Sequence, residues 1–129
     1  ELPGLPKLGW AVVDVRDVAS AHVAAMTVAE AAGPRFLCSL DHMWAEEVAD
    51  ELRDYAAAKG FKIPSMKIPA FVLRIAGIFD KTVGMILHEI GKRQDIDNSR
   101  IRAVLNWQPH DMKDTLRASV DSLIDYKVI

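Results

Sequence analysis

Gly9-Trp10-Ala11-Val12-Val13-Asp14-Val15-Arg16-Asp17-Val18-Ala19-Ser20-Ala21-His22 is the stretch whose reading decides the fold. Ala11 to Val15 is a short apolar, β-branched run, which marks a buried strand. Asp17 stands where a helix N-cap belongs, because its carboxylate can accept free backbone N–H groups of a first turn. Val18, Ala21, His22, Ala25 and Ala29 follow at helical spacing and give one apolar face. The unit is therefore strand, tight corner and helix, with an acid at the hinge. The helix is expected to run to Ala32, where Gly33-Pro34 stops it. Arg35 to Ser39 reads as a second strand, and two strands joined by a helix predict a parallel βαβ crossover.

Beyond this unit the chain reads as packing and walls. The segment from Glu1 to Gly9 is loop, punctuated by Pro3, Gly4 and Pro6. A second helix spans about Met43 to Ala58, with Ala45, Val48, Ala49, Leu52, Tyr55 and Ala56 on one stripe and Asp41 as its cap. Lys59-Gly60 ends it. Phe61 to Pro69 is extended, and Pro64 and Pro69 confine it to an edge strand or loop. Ala70 to Phe79 is an apolar helix. Asp80 to Gly91 is helical but interrupted by Gly84, and Lys92 to Asp97 is loop or a short edge strand. Asn98 or Ser99 caps a short helix ending near Leu105. Trp107-Gln108-Pro109 is a turn with a buried aromatic, and a last helix spans Met112 to Tyr126.

Two segments carry a family resemblance. Val13-Asp14-Val15-Arg16-Asp17-Val18-Ala19 with Ala21-His22 resembles the opening of the C-terminal third of extended short-chain dehydrogenases/reductases. Asp97-Asn98-Ser99-Arg100-Ile101-Arg102-Ala103-Val104-Leu105-Asn106-Trp107-Gln108-Pro109 resembles the late segment of the same family. The nearest groups are dihydroflavonol-reductase-like proteins and NAD-dependent epimerase/dehydratases. The resemblance runs from about Trp10 to Leu123. It implies an α/β fold, the C-terminal part of a Rossmann-type enzyme with few short strands and several helices. Residues 1–129 then form one domain, the substrate-binding portion, with the nucleotide-binding portion outside the chain. A Pro/Gly-rich start without methionine accords with a portion of a longer polypeptide.

Composition narrows the partners. The 129 residues have a net charge of −2 and no basic block, so nothing argues for nucleic acid or an anionic membrane. No segment reaches the ~20 apolar residues of a membrane span, and the start is not a signal peptide. The single cysteine, Cys38, excludes an internal disulfide and fits a reducing, cytoplasmic compartment. It sits in Phe36-Leu37-Cys38 and reads as a buried core thiol.

The chemistry expected of a complete enzyme of this family is missing. None of the seven glycines cluster into a phosphate-binding turn after a strand. Tyr55-Ala56-Ala57-Ala58-Lys59 matches the family's Tyr-x-x-x-Lys pair in letters, but it lies downstream of the Val-Asp-Val-Arg-Asp strand instead of upstream. It reads as a core tyrosine and a solvated lysine, so no catalytic residue is assigned. His22, His42, His88 and His110 show no zinc-ligand spacing, and no metal is expected. Arg16 reads as a salt-bridge partner or a substrate contact.

In the family, residues just before the first strand line the substrate pocket, so the resemblance points to Gly9 and Trp10. Trp10 is a pocket wall or core. Lys92 and Arg93 are solvated loop charges or meet an anionic substrate, and Arg93 is the third candidate. The apolar residues Phe71, Leu73, Ile78, Met85, Ile86 and Leu87 form either the domain's own core or the surface facing the absent portion. Such a patch, if exposed, predicts self-association. The favoured function is the substrate-binding part of an NAD(P)-dependent oxidoreductase acting on a carbonyl or alcohol. On this reading the part is inactive alone and binds no cofactor itself. The alternative is a stand-alone α/β interaction or small-molecule module.

Overall fold

The computed structural model describes residues 4–129. Of the loop expected over Glu1 to Gly9, Glu1 to Pro3 lie outside the described residues, and Leu5–Pro6 form a short strand instead. The elements in chain order are β1 (Leu5–Pro6), β2 (Gly9–Ala11), α1 (Val15–Thr27), a 3-10 turn (Ala29–Ala31), β3 (His42–Trp44), α2 (Ala45–Ala58), β4 (Lys67–Ile68), α3 (Ala70–Phe79), α4 (Lys81–Ile86), α5 (Ser99–Leu105) and α6 (Met112–Asp125). The described residues form six helices and a few short strands, the mixed α/β fold class the sequence predicts.

The opening corner is built one step earlier than expected. Asp14, not Asp17, is the N-cap of α1: it is extended at φ −72° and ψ 136°, and its carboxylate accepts the Arg16 N–H at 2.8 Å. The strand accordingly ends at Ala11, and Asp17 falls inside the first turn. The second strand also moves. Residues 35–39 are irregular, and the paired strand is β3. Its sense corrects the expected crossover. The Leu8 carbonyl accepts from the Ala45 N–H at 2.7 Å and the Val12 carbonyl from the Leu40 N–H at 2.8 Å. Partner numbers fall as residue numbers rise, so these segments run antiparallel. A parallel pair exists elsewhere, between β1 and β4, with Leu5 opposite Lys67 and Pro6 opposite Ile68.

The described chain divides into two compact units, residues 4–10 with 43–94, and residues 11–42 with 95–129. In the first, α2 packs against β1. Ala49, Leu52 and Ala56 on its predicted stripe are buried, as is Leu8. The expected Asp41 cap is not used. The Trp44 N–H instead donates to the Glu47 carboxylate at 2.8 Å. An indole has no acceptor for the reciprocal bond, so half a capping box starts the helix. At Gly4 the chain runs so close to β4 that a Cβ would lie 2.4 Å from the Met66 carbonyl oxygen. Gly77 and Gly84 face each other where α3 and α4 pack, and a Cβ on Gly84 would lie 3.2 Å from the Gly77 carbonyl oxygen.

In the second unit Ala21 of α1, Ile101 and Leu105 of α5, and Trp107 form the buried cluster, with Val13, Phe36 and Cys38 packed on it. Leu116 and Val120 put α6's apolar stripe inside. Asn98 begins α5 without capping it. Its Nδ2 donates to the Ser39 carbonyl at 2.6 Å, and Asp97 accepts the Ser99 N–H at 2.8 Å in its place. Hydrogen bonding to Ser99 lowers the Asp97 pKa.

Candidate functional site

The three residues marked from sequence all lie in the first unit. Gly9 is buried in β2, and the next residue, Trp10, is 49% exposed. Trp10 is therefore not enclosed in the core of this chain. Arg93 is exposed in the irregular segment before α5. That segment is anchored close by, because the Gly91 N–H donates to the Lys7 carbonyl at 2.8 Å. Gly91 has φ +76°, the left-handed region open to glycine. The bond ties Gly91, which directly precedes Lys92 and Arg93, to Lys7, two residues before β2.

The same unit exposes a large apolar surface. No residue of α3 is buried. Phe71, Ile75, Ile78 and Phe79 are exposed, and so is Met85 of α4. Leu73, Ile86 and Leu87 are half-buried, and α3 packs against α4. Of the two readings of this surface, a finished core is excluded. Contiguous exposed apolar residues on this scale mark an interaction or ligand face.

The second unit carries a polar clamp that sequence reading missed. Asp17 is 2% exposed. Its carboxylate accepts the His110 backbone N–H at 2.9 Å and lies 2.5 Å from His110 Nδ1. Its carbonyl accepts from Trp107 Nε1 at 2.9 Å. The two segments that carry the family resemblance are thus bonded to each other. Asp14 makes the second pair, taking Arg16 Nε at 2.9 Å and Nη2 at 2.5 Å in a two-pronged fork. The Arg16 guanidinium holds the Asp14 carboxyl far below the usual carboxylate range, against the opposing effect of burial. Arg16 is therefore the salt-bridge partner.

A diphosphate needs a helix N-terminus free of negative charge. The first turns of α1, α2 and α6 carry Asp17, Glu46 with Glu47, and Asp114, whereas those of α3, α4 and α5 carry no acid. The glycines with positive φ, Gly33, Gly60 and Gly91, stand apart from one another and not in a strand-to-helix turn. Among the described residues no group of three His, Cys, Asp or Glu side chains could hold a metal. Tyr55 is half-buried and the Lys59 ammonium sits 4.9 Å from its ring centroid. That contact is a cation–π pair at a helix end. Cys38 is partly buried, and burial raises its pKa.

No protein-family model matches the chain, and no curated protein matches it. Solved structures do. Gre2 from Candida albicans is 22% identical at a TM-score of 0.66, over 95% of this chain and 32% of its own. Yeast methylglyoxal/isovaleraldehyde reductase Gre2, complexed with NADPH, is 21% identical at a TM-score of 0.67, over 97% of this chain and 36% of its own. The structure of gox2253 is 13% identical at a TM-score of 0.71, over 97% and 40%. The chain spans about a third of the length of the Gre2 structures it matches. It has the architecture of the C-terminal part of an extended short-chain dehydrogenase/reductase. No helix among the described residues is long and apolar enough to cross a membrane.

Proposed function

We propose that this chain is the substrate-binding C-terminal portion of an NAD(P)-dependent oxidoreductase that acts on a carbonyl or alcohol, in the manner of the dihydroflavonol-reductase-like group. The fold likeness to an NADPH-bound reductase over nearly the whole chain carries the reading. The cofactor, the Gly-rich turn and the tyrosine acid belong to a nucleotide-binding portion upstream. This portion supplies walls. Gly9 and Trp10 line the pocket, and Trp10 offers an indole face to the apolar body of the substrate. Arg93 offers a cation to an anionic one. The exposed face of α3 and α4 packs on the nucleotide-binding portion and shuts water out of the pocket. In its absence two copies of the chain pair through that face. The setting is cytoplasmic, and neither nucleic acid nor a membrane is a partner.

The test uses the longer polypeptide whose reading frame includes this segment, assayed by NADPH consumption with isovaleraldehyde and with a charged 2-oxo acid. Trp10→Ala raises KM for the aldehyde at least fivefold, and Arg93→Gln raises KM for the oxo acid alone. Unchanged KM values in both variants would overturn the site. The 129-residue chain alone consumes no NADPH. Turnover by it that Tyr55→Phe abolishes would overturn the assignment of catalysis to the absent portion.

A further inference from the structure

A cleft lies at the C-terminal end of α2, where the helix turns into the extended 61–69 stretch. Its volume is about 360 Å³. Arg53, Lys62 and Ser65 line it with Ala57, Phe61 and Ile63, and no acidic side chain does. A helix C-terminus ordinarily repels anions through its free carbonyls, but here two of the last ones, those of Ala56 and Ala57, are occupied. The Phe61 and Gly60 N–H groups donate to the Ala56 and Ala57 carbonyls at 2.9 and 3.0 Å, the paired bonds of a Schellman turn, with Gly60 at φ +88°. Arg53, Lys62 and Ser65 bring hydrogen-bond donors to the lining. Arg53 gives Nη1 to Asp50 at 2.5 Å, and its Nε is buried with no hydrogen-bond partner among the described residues. A shielded, unpaired donor on a charged group is costly. The Nε side of a guanidinium is also one of the edges that grips a carboxylate in two-pronged fashion. The Arg53 side chain is 37% exposed, so the guanidinium can turn to meet a ligand that enters from water.

We propose that this cleft binds a small organic anion, a carboxylate on a flat apolar body. Arg53 takes the carboxylate through its unpaired edge, Lys62 and Ser65 add a charge and a hydroxyl donor, and Phe61 with Ala57 and Ile63 covers the apolar body. The site belongs to the first unit alone, and its occupancy does not depend on the activity proposed above.

The experiment is an NMR titration of the 15N-labelled chain with sodium benzoate and, separately, with inorganic phosphate, at constant ionic strength. Benzoate is expected to shift the amides of residues 60–65 saturably, with a dissociation constant on the order of 1 mM. Phosphate should shift them at least fivefold more weakly. Arg53→Gln should weaken benzoate at least tenfold. Lys62→Gln, a change at an exposed loop position that leaves α2 intact, should weaken it about threefold. Absence of saturable shifts at residues 60–65 would overturn the proposal. So would a phosphate response equal to that of benzoate, or benzoate affinity unchanged in both variants.

Discussion

Replacing Asp17 by alanine removes the acceptor that ties α1 to the turn before α6. Two bonds are lost, one from the His110 backbone N–H at 2.9 Å and one with His110 Nδ1 at 2.5 Å. A hydrogen bond to a charged group contributes about 1.5–3 kcal/mol. The side chain of His110 is 45% exposed, so water replaces part of the second bond. Relief of the buried carboxylate's desolvation offsets part of the first. The net loss is then about 2 kcal/mol, because the His110 N–H is left with no acceptor. For a small folded unit each kcal/mol moves Tm by about 4–8 °C, so Asp17→Ala should lower Tm by about 8–16 °C. Circular dichroism during thermal and urea unfolding reads this directly. Asp17→Asn keeps an acceptor for the backbone N–H and should lose about half as much. An Asp17→Ala variant within about 0.5 kcal/mol of the parent would refute the clamp, since that is the ordinary scatter of surface substitutions.

Three further outcomes follow from the same structure. Asp14 is held as a carboxylate below its unfolded pKa by Arg16, so the stability it adds is present above about pH 4 and is lost as pH falls through its lowered folded value. Acid unfolding followed by circular dichroism should therefore be shallower between pH 4 and 2 in Asp14→Asn than in the parent. Gly4→Ala places a Cβ against the Met66 carbonyl oxygen and should separate β1 from β4 at a cost of about 1–3 kcal/mol, read as lost amide protection at Leu5 in hydrogen exchange. Cys38, with its thiol pKa raised by burial, should react with a disulfide reagent at least tenfold more slowly in the folded chain than in urea at pH 8.

The parts of the fold that were legible in the sequence are those whose causes are local. α3 occupies the span read from its apolar run between Pro69 and Asp80, and α6 follows its periodic stripe to within a residue. Trp107 is buried, as its place in a turn between two helices suggested. What was not legible depends on distant partners. Asp14 and Asp17 are both short acids at a strand-to-helix corner. Only a bond across 93 positions makes Asp17 a clamp and leaves capping to Asp14. Asn98 is a good capping residue by type, yet its amide is committed to a carbonyl 59 positions away. Arg35 to Ser39 has strand-like composition, but pairing chose His42–Trp44, because register is set by what the partner strand offers. Of the candidate site, the exposure of Trp10 removes the core reading that sequence left open. The Arg53 cleft carried no local signal, since an arginine on the polar side of an amphipathic helix is ordinary.

The reading frame upstream of Glu1 tests the central claim most directly. If this chain is the substrate side of a reductase, that frame encodes a Gly-x-x-Gly-x-x-Gly turn after a first strand, then a Tyr-x-x-x-Lys helix, and continues into Glu1 without a stop. A start codon within a few residues of Glu1 would contradict the account, and the fold would then serve a stand-alone binding module.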